Sequence, residues 1–488
     1  MTIAAQFVIV PIVIERIGLP AFGRAGLVLA VWAPLTVIGT VIGQAATREI
    51  SAQLAGGSSG RSLQSAAVAL CSAVSALSAL AFVFFGPYLL NWLDASGESA
   101  ASWRVDILAL SLGWLMQQVL IVLQGVASAR QDFKLVAQLS IVTAVTSLVC
   151  TLSLTSWWPS ATGYLWGIST SFVTTTIGAI WLVRYSGEQA TSVEASWHEA
   201  TATLLRFGRW QVVSQLAGTV GNQIDRFTLA ALASPAIIGQ YNAANRVQEA
   251  GYMLVMKAAE VLFPRFGANS ADDEDKRLRL FVLASWAVVT FSCMILAPIV
   301  TLAEPLMRLW VGAETAQGGA LLLQVLTVGG LIGCGSSVFS FYLMGVGHTR
   351  VLAAISMIYS MLTIAFSVVA LLAVGPVAAG TGLALASLVR VALAMFWCRR
   401  RLFPNSTWAA ILVSSATPLL ASIGLAWGLG ATLPVQSIQR WWQLGLAFLV
   451  TMLAVGAITV LITAASSFGR HLLRSLSHDL RRAWAVVA

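Results

Sequence analysis

Fourteen apolar segments follow one another along the chain with only short polar stretches between them. They cover residues 2–17, 25–46, 65–90, 107–127, 133–154, 162–183, 210–232, 238–263, 280–302, 320–344, 351–374, 377–398, 408–429 and 441–463. Most are about 20 residues long, the length an α-helix needs to cross the hydrocarbon of a bilayer. A backbone in lipid must satisfy its own hydrogen bonds, which leaves helices or a closed barrel. The pattern predicts an all-α polytopic membrane protein with about 14 transmembrane helices. Charged residues make up 10% of the chain and hydrophobic ones 58%, against about a quarter charged in a soluble domain.

Orientation follows from the basic residues. Loops after even-numbered segments, with the C-terminal tail, hold 19 Lys and Arg, and loops after odd-numbered segments hold five (Arg16, Arg24, Arg104, Arg308, Arg440). Basic loops stay in the cytoplasm, so both termini are expected there. The formal charge of +9 is explained by these loops, and no nucleic-acid partner is expected. The five cysteines all lie in apolar runs and are odd in number, so no disulfide framework is indicated. The four histidines (His198, His348, His471, His478) lack metal-ligand spacing, and neither metal nor cofactor is expected.

The chain also repeats itself. Leu123-Gln124-Gly125-Val126 with Arg130 matches Leu343-Met344-Gly345-Val346 with Arg350, and Pro87 with Trp92 matches Pro305 with Trp310. Pro159 and Gly163 match Pro376 and Gly380, while Pro20-Ala21 with Gly23 matches Pro235-Ala236 with Gly239. All are displaced by six helices, an even number, so the halves have the same orientation in the membrane. The expected organisation is an N-lobe over residues 1–186, a cytoplasmic linker over 187–209 and a C-lobe over 210–403. Two extra helices over 404–464 and a basic tail over 465–488 complete it. The tail places Phe468, Leu472, Leu476, Leu480 and Trp484 every fourth residue among arginines, the pattern of an amphipathic helix on an anionic leaflet. By the repeat, the first helix should begin several residues before Met1, so the natural start is expected upstream.

One hairpin breaks the apolar rule. Residues 210–266 carry Asp225, Arg226, Arg246, Glu249, Lys257 and Glu260 within two spans joined at Ser234-Pro235-Ala236. Ionisable groups in a bilayer face a bundle interior or a wet cavity. At helical spacing Asn242, Arg246, Glu249, Met253, Lys257 and Glu260 share an arc of roughly 80°, and Gln211, Gln215, Asn222, Asp225 and Arg226 cluster on the preceding helix. Asp225 and Arg246 lie nearly level across the turn. Two readings stay open: the stripe lines a cavity, or it is an ion-pair network that holds the hairpin together, with Arg246–Glu249 also able to pair at i, i+3. Arg390 is the other deep basic residue, facing the same cavity or snorkelling to the cytoplasm. The first six segments contain Gln6, Gln44, Gln117, Gln118, Gln124 and Gln138 but no Asp or Glu in their interiors, with Asp106 read as part of the outer loop 91–106.

The segment IDRFTLAALASPAIIGQYNAANRV, closed by LFPRF at 262–266, and ERIGLPAFGRAGLVLAV at 15–31 resemble Wzx-like polysaccharide flippases of the multidrug/oligosaccharidyl-lipid/polysaccharide exporter superfamily. The resemblance implies two six-helix lobes around a central cavity and translocation of undecaprenyl-diphosphate-linked oligosaccharide by alternating access in a bacterial inner membrane. It also implies contact with polysaccharide polymerase and glycosyltransferases. Arginine binds phosphate oxygens bidentately and lysine adds a point charge, so Arg246 and Lys257 are candidates for the diphosphate. Asn242, Asn222, Gln211 and Gln215, with Arg390, are further cavity candidates; Asp225, Arg226 and Glu249 are either a coupling group or a structural ion pair. The alternatives are a flippase for a lipid-linked peptidoglycan precursor and a cation-coupled multidrug exporter. The missing acid in the first lobe counts against the exporter. An integral-membrane glycosyltransferase or polymerase is the reading from another class, but the outer loops show no carboxylate pair, nucleotide loop or metal motif.

Overall fold

The computed structural model describes residues 2–55, 61–93, 100–185, 197–260, 274–346, 348–403, 408–432, 437–465 and 469–470. The first ten residues of the expected linker, the LFPRF segment and most of the tail lie outside them, and residues 197–209 of the expected linker are helical. The protein is an all-α polytopic membrane protein. The chain forms two compact units, Met1–Asn242 and Ala243–Ala488.

The first unit contains α1 (Thr2–Ile17), α2 (Leu19–Trp32), α3 (Val37–Ala55), α4 (Arg61–Leu93), α5 (Ala100–Ala129), α6 (Phe133–Trp157), α7 (Ala161–Tyr185), α8 (Trp197–Leu232) and the start of α9 (Pro235–Glu260). The second contains the rest of α9, then α10 (Glu274–Thr301), α11 (Ala303–Val311), α12 (Ala313–Cys334), α13 (Ser337–Val346), α14 (Thr349–Val374), α15 (Thr381–Trp397), α16 (Trp408–Thr432) and α17 (Trp441–Ala465). Among the described residues nine helical segments are long and apolar enough to cross a membrane. The other expected spans are helices too, namely α1, α7, α8, α9 and α16. In α8 and α9 the amide and charged side chains dilute the apolar signal.

Three boundaries differ from the sequence expectation. The second span begins at Leu19 rather than residue 25, directly after Gly18, whose φ of 79° suits glycine. Pro20 is tolerated in the first turn because its missing N–H would be unpaired there anyway. The same span is broken at Ala33–Thr36, a single 3-10 turn that absorbs Pro34. In the second unit the expected helix 320–344 is two, α12 and α13, with α11 preceding them where a loop was expected. Arg308 of α11 pairs with Glu304 at 3.1 Å and donates to the Ile438 carbonyl at 2.8 Å, fastening α11 to the turn before α17. The third difference concerns the site. Helix α5 starts at Ala100, so Asp106 is a helical residue and fully buried, and the expectation of a first lobe without a buried acid is corrected.

Lipid is as apolar as leucine, so helices in it associate through close packing and hydrogen bonds rather than water exclusion. The chain sorts its faces accordingly. Leu77, Phe84, Phe85 and Leu372 point outward, while the inward faces carry small residues. Helix α6 buries Leu135, Leu139, Ser147, Thr151 and Thr155, and α17 buries Leu444, Thr451, Val455, Thr459 and Thr463. Spacings of four, seven or eight keep each set on one stripe of its helix. Across α6 and α7 the Thr146 and Thr175 hydroxyls meet at 2.7 Å, and Thr176 of α7 donates to the Met116 carbonyl of α5 at 2.9 Å. Trp286 of α10 donates its indole N–H to Thr463 of α17 at 3.0 Å. Thr463→Val keeps the shape and removes the acceptor, and should cost about 1 kcal/mol or less, as interhelical hydrogen bonds in membranes do. Reversible unfolding in mixed micelles would measure it.

Glycines set the closest approaches, and they repeat. A Cβ on Gly113 of α5 would lie 2.5 Å from Ser169 Cα of α7, and one on Gly167 of α7 would lie 2.6 Å from Thr151 Cα of α6. In the second unit Gly329 of α12 would meet Ala384 N of α15 at 3.1 Å, and Gly382 of α15 would meet Ser367 Cα of α14 at 2.5 Å. Each second-unit residue stands 215 or 216 positions after its first-unit counterpart. The internal repeat is therefore a repeat of packing.

Candidate functional site

The hairpin of α8 and α9 turns at Ala233-Ser234, where Ile237 N donates to the Ser234 carbonyl at 3.0 Å and Pro235 opens α9. Near the turn its polar side chains interlock. Arg226 donates Nε to Asn242 Oδ1 at 2.6 Å and Nη1 to Gln223 Oε1, and its guanidinium lies 5.6 Å from the Tyr241 ring centroid. The Tyr241 hydroxyl donates to Asp225 Oδ2 at 3.2 Å. Asp225, Arg226, Tyr241 and Asn242 are all buried. A buried charge persists only with partners around it, and these groups tie the two helices of the hairpin to each other. Asn242 is part of this knot, with its carboxamide against Gly26 of α2.

Farther along α8 the character changes. Asn222 is exposed, and Gln215 donates to Gln44 of α3 at 3.1 Å. Gln44 continues a stripe with Thr40 of α3 and Thr36 of the 3-10 turn before it, and Gln215 and Asn222 continue one on α8 with Thr219. The threonine hydroxyls donate to backbone carbonyls one turn back, Thr40 to Thr36 at 3.1 Å and Thr219 to Gln215 at 2.8 Å. Their lone pairs stay available. The result is an uncharged, half-buried to exposed face of amide and hydroxyl groups on the first unit. Thr36 and Thr40 escaped notice in the sequence because isolated threonines in an apolar run look like packing residues. Their spacing with Gln44 was the available signal.

On α9 in the second unit, Arg246 and Glu249 pair at 3.2 Å, and Asn245 donates to the other Glu249 oxygen at 2.6 Å. The side chains of Arg246 and Glu249 remain 35% and 43% exposed, so the cluster presents both charges to its surroundings instead of sealing them. Arg390 of α15 donates to Ser340 of α13 at 3.1 Å and sits 5.0 Å from the Tyr359 ring centroid of α14. These contacts hold it within its own unit. The side chains of Gln211, Lys257 and Glu260 lie outside the described residues. Among the described residues no cluster of His, Cys, Asp or Glu could hold a metal ion.

A second constellation lies around Arg24 of α2. Asp106 of α5 accepts from Arg24 of α2 at Nε (3.3 Å) and Nη2 (3.1 Å), and from the Thr162 hydroxyl of α7 at 2.5 Å. The Arg24 guanidinium stacks 4.3 Å from the Trp103 ring centroid. One carboxylate thus binds α2 to α5 and α7. The visible sequence signal was the spacing Trp103, Asp106, Leu110, which extends the helical stripe of α5 backwards past the residue where apolarity starts.

The site thus belongs to an all-α polytopic membrane fold with polar and charged side chains gathered on an α8–α9 hairpin. The sequence model of the polysaccharide biosynthesis protein family matches residues 1–270, and the chain belongs to that family. Solved structures agree on the fold. The lipid II flippase MurJ in an inward closed conformation aligns over 97% of this chain and 98% of its own, with a TM-score of 0.71 at 14% identity. An inward-facing multidrug resistance MATE transporter aligns over 83% and 97%, with a TM-score of 0.74 at 13% identity. A transporter of the same superfamily from Pyrococcus furiosus aligns over 83% and 96%, at 0.60 and 14%. No curated protein matches the chain in sequence.

Proposed function

We propose that the protein translocates a lipid-linked oligosaccharide from the cytoplasmic to the periplasmic leaflet of a bacterial inner membrane, for O-antigen, capsule or exopolysaccharide synthesis. The observation that carries this reading is the uncharged face of Thr36, Thr40, Gln44, Gln215, Thr219 and Asn222. Groups of this kind at membrane depth offer hydrogen bonds without a charge to neutralise, which suits a neutral, hydroxyl-rich cargo. Arg246 and Lys257 hold the diphosphate in this scheme, with Glu249 keeping Arg246 oriented. The prenyl chain stays in lipid, and the cycle exposes the polar face to the two leaflets in turn. Family membership supports the pathway, in which polymerase and glycosyltransferases are the natural partners. Both termini are placed in the cytoplasm, and the lobes at 1–186 and 210–403, by charge asymmetry and repeat.

A second reading is a lipid-linked peptidoglycan precursor as cargo. Its support is the lipid II flippase, whose fold extends over nearly the whole chain. Complementation separates the two. The chain is expressed in a strain lacking its polysaccharide flippase and in one depleted of its precursor flippase, with Arg246→Ala and Lys257→Ala alongside. Restoration of surface polysaccharide by the parent chain alone, with loss of at least tenfold in each variant at equal abundance, is the expected result (about 1.4 kcal/mol of binding lost per decade). Rescue of only the precursor-depleted strain overturns the polysaccharide reading, and full activity in both variants removes the diphosphate clamp.

A further inference from the structure

At one end of the second unit aromatic side chains draw arginines together. Phe281 of α10, Tyr342 of α13 and Phe403 beyond α15 form a triad with ring centroids 5.4, 5.5 and 5.6 Å apart. One turn away on α13, Phe339 meets Trp397 of α15, which also meets His348 before α14, each at 6.1 Å. Arg277 stands one turn before Phe281 on α10, and Tyr342 is close enough to interact with it electrostatically. Arg350 follows His348 in the first turn of α14, and Arg399 and Arg400 follow Trp397. Arginines from three parts of the chain thus border one aromatic cluster.

Basic residues suit the end of α15, where the helix dipole favours a cation, but Arg350 sits at the start of α14, where it opposes one. Arg277 is half-buried, and its Nε has no hydrogen-bond acceptor. Arg277, Arg350 and Arg400 form no ion pair among the described residues, and the exposed Asp275 pairs with none of them. The backbone also departs from the α-helix here. Cys398–Leu402 is a π turn, closed by Phe403 N donating to the Cys398 carbonyl at 2.9 Å. Such turns are rare and frequent at functional sites. Within this one Arg399 is half-buried and Arg400 exposed.

An apolar track leads to these charges. Leu385, Leu388, Ala392, Phe396 and Arg400 recur every three or four residues and are all exposed, one stripe along α15. The Arg400 guanidinium lies 5.7 Å from the Phe396 ring centroid, at the end of the stripe. A track of this kind has the polarity of a phospholipid, with room for an acyl chain along the helix and cations where the phosphate falls. We infer that the second unit binds an anionic phospholipid, its headgroup phosphate at Arg277, Arg350 and Arg400 and an acyl chain along Leu388 and Phe396. Guanidinium groups bind phosphate oxygens bidentately, and basic pockets between membrane helices take anionic headgroups. A prenyl diphosphate shares this chemistry but carries a glycan, and the side chains beside these arginines are His348, Phe396 and Trp397, with no amide among them.

Binding here needs no transport, so this site and the translocation reading can fail separately. The full-length protein is purified in a nonionic detergent, stripped of lipid and titrated with phosphatidylglycerol or with phosphatidylcholine. Its unfolding temperature is followed, since a ligand of the native state raises it, and native mass spectrometry counts the lipid retained. Phosphatidylglycerol should stabilise the protein and phosphatidylcholine should not. Arg350→Gln and Arg400→Gln, both at exposed positions, should each weaken phosphatidylglycerol binding about tenfold. Lys276→Gln and Arg279→Gln remove the same charge from exposed positions of α10, and screening should limit their effect to about twofold. Equal losses in all four variants would mean a diffuse basic field and overturn the site, as would equal binding of the two lipids. In a second arm undecaprenyl diphosphate competes with bound phosphatidylglycerol. It should not displace the phospholipid at equal concentration; displacement that is lost in Arg350→Gln and Arg400→Gln would give the arginines to the cargo and overturn the phospholipid assignment.

Discussion

Arg24→Leu is expected to destabilise the protein by about 3 kcal/mol, because it leaves the Asp106 carboxylate buried without its cation. Asp106 is fully buried, whereas the Arg24 side chain keeps 21% of its surface. The two single replacements are therefore unequal. Asp106→Leu strands a guanidinium that can still reach water and rest on Trp103, so it should cost less. Arg24→Leu with Asp106→Leu removes both charges and should recover much of the loss, since an apolar pair of similar volume often replaces a buried ion pair at little cost. Thermal unfolding of the four proteins in one detergent gives the cycle. Additive losses would show that the pair is not coupled, and that Thr162 and Trp103 already satisfy each partner.

That pair also shows where reading a membrane sequence stops short. Apolar runs locate helices well because lipid imposes a strong composition, and each expected span has a helical counterpart among the described residues. Helix starts are another matter. Polar residues in the first turns carry no apolar signal, so α5 reads as starting at Ile107 and its Asp106 as a loop residue. Its partner Arg24 comes from another helix, a pairing that no local pattern contains. The repeat was legible as four scattered motifs, but the sequence did not show that Gly23 presses on Pro235 and Gly239 on Leu19, or that Gly167 and Gly382 make the same contact in each half. The charged hairpin was legible as charge and, for Arg246–Glu249, as an i, i+3 pair, but its knot near the turn was not. Tyr241 takes Asp225 and Asn242 takes Arg226, choices settled by side-chain geometry around a tight turn.

Glycine packing makes a prediction in which position outweighs residue type. Gly167 and Gly178 both belong to α7, yet a Cβ on Gly167 would press on Thr151 while one on Gly178 would meet nothing within 4 Å. Gly167→Ala should therefore cost about 1–3 kcal/mol through overpacking, and Gly167→Leu should prevent accumulation of folded protein. Gly178→Ala should be neutral or stabilising by up to about 1 kcal/mol, the helix preference of alanine over glycine. In the second unit Gly382 presses on Ser367 in the same way, and Gly445 of α17 is open like Gly178. Gly382→Ala and Gly445→Ala should reproduce the contrast. Equilibrium unfolding of the four alanine variants decides the matter. Similar losses at Gly167 and Gly382, with none at Gly178 and Gly445, would show that the two halves share an energetic contact and not only a sequence motif. Losses at all four sites would mean that glycine is needed for helix bending, and that close approach is incidental.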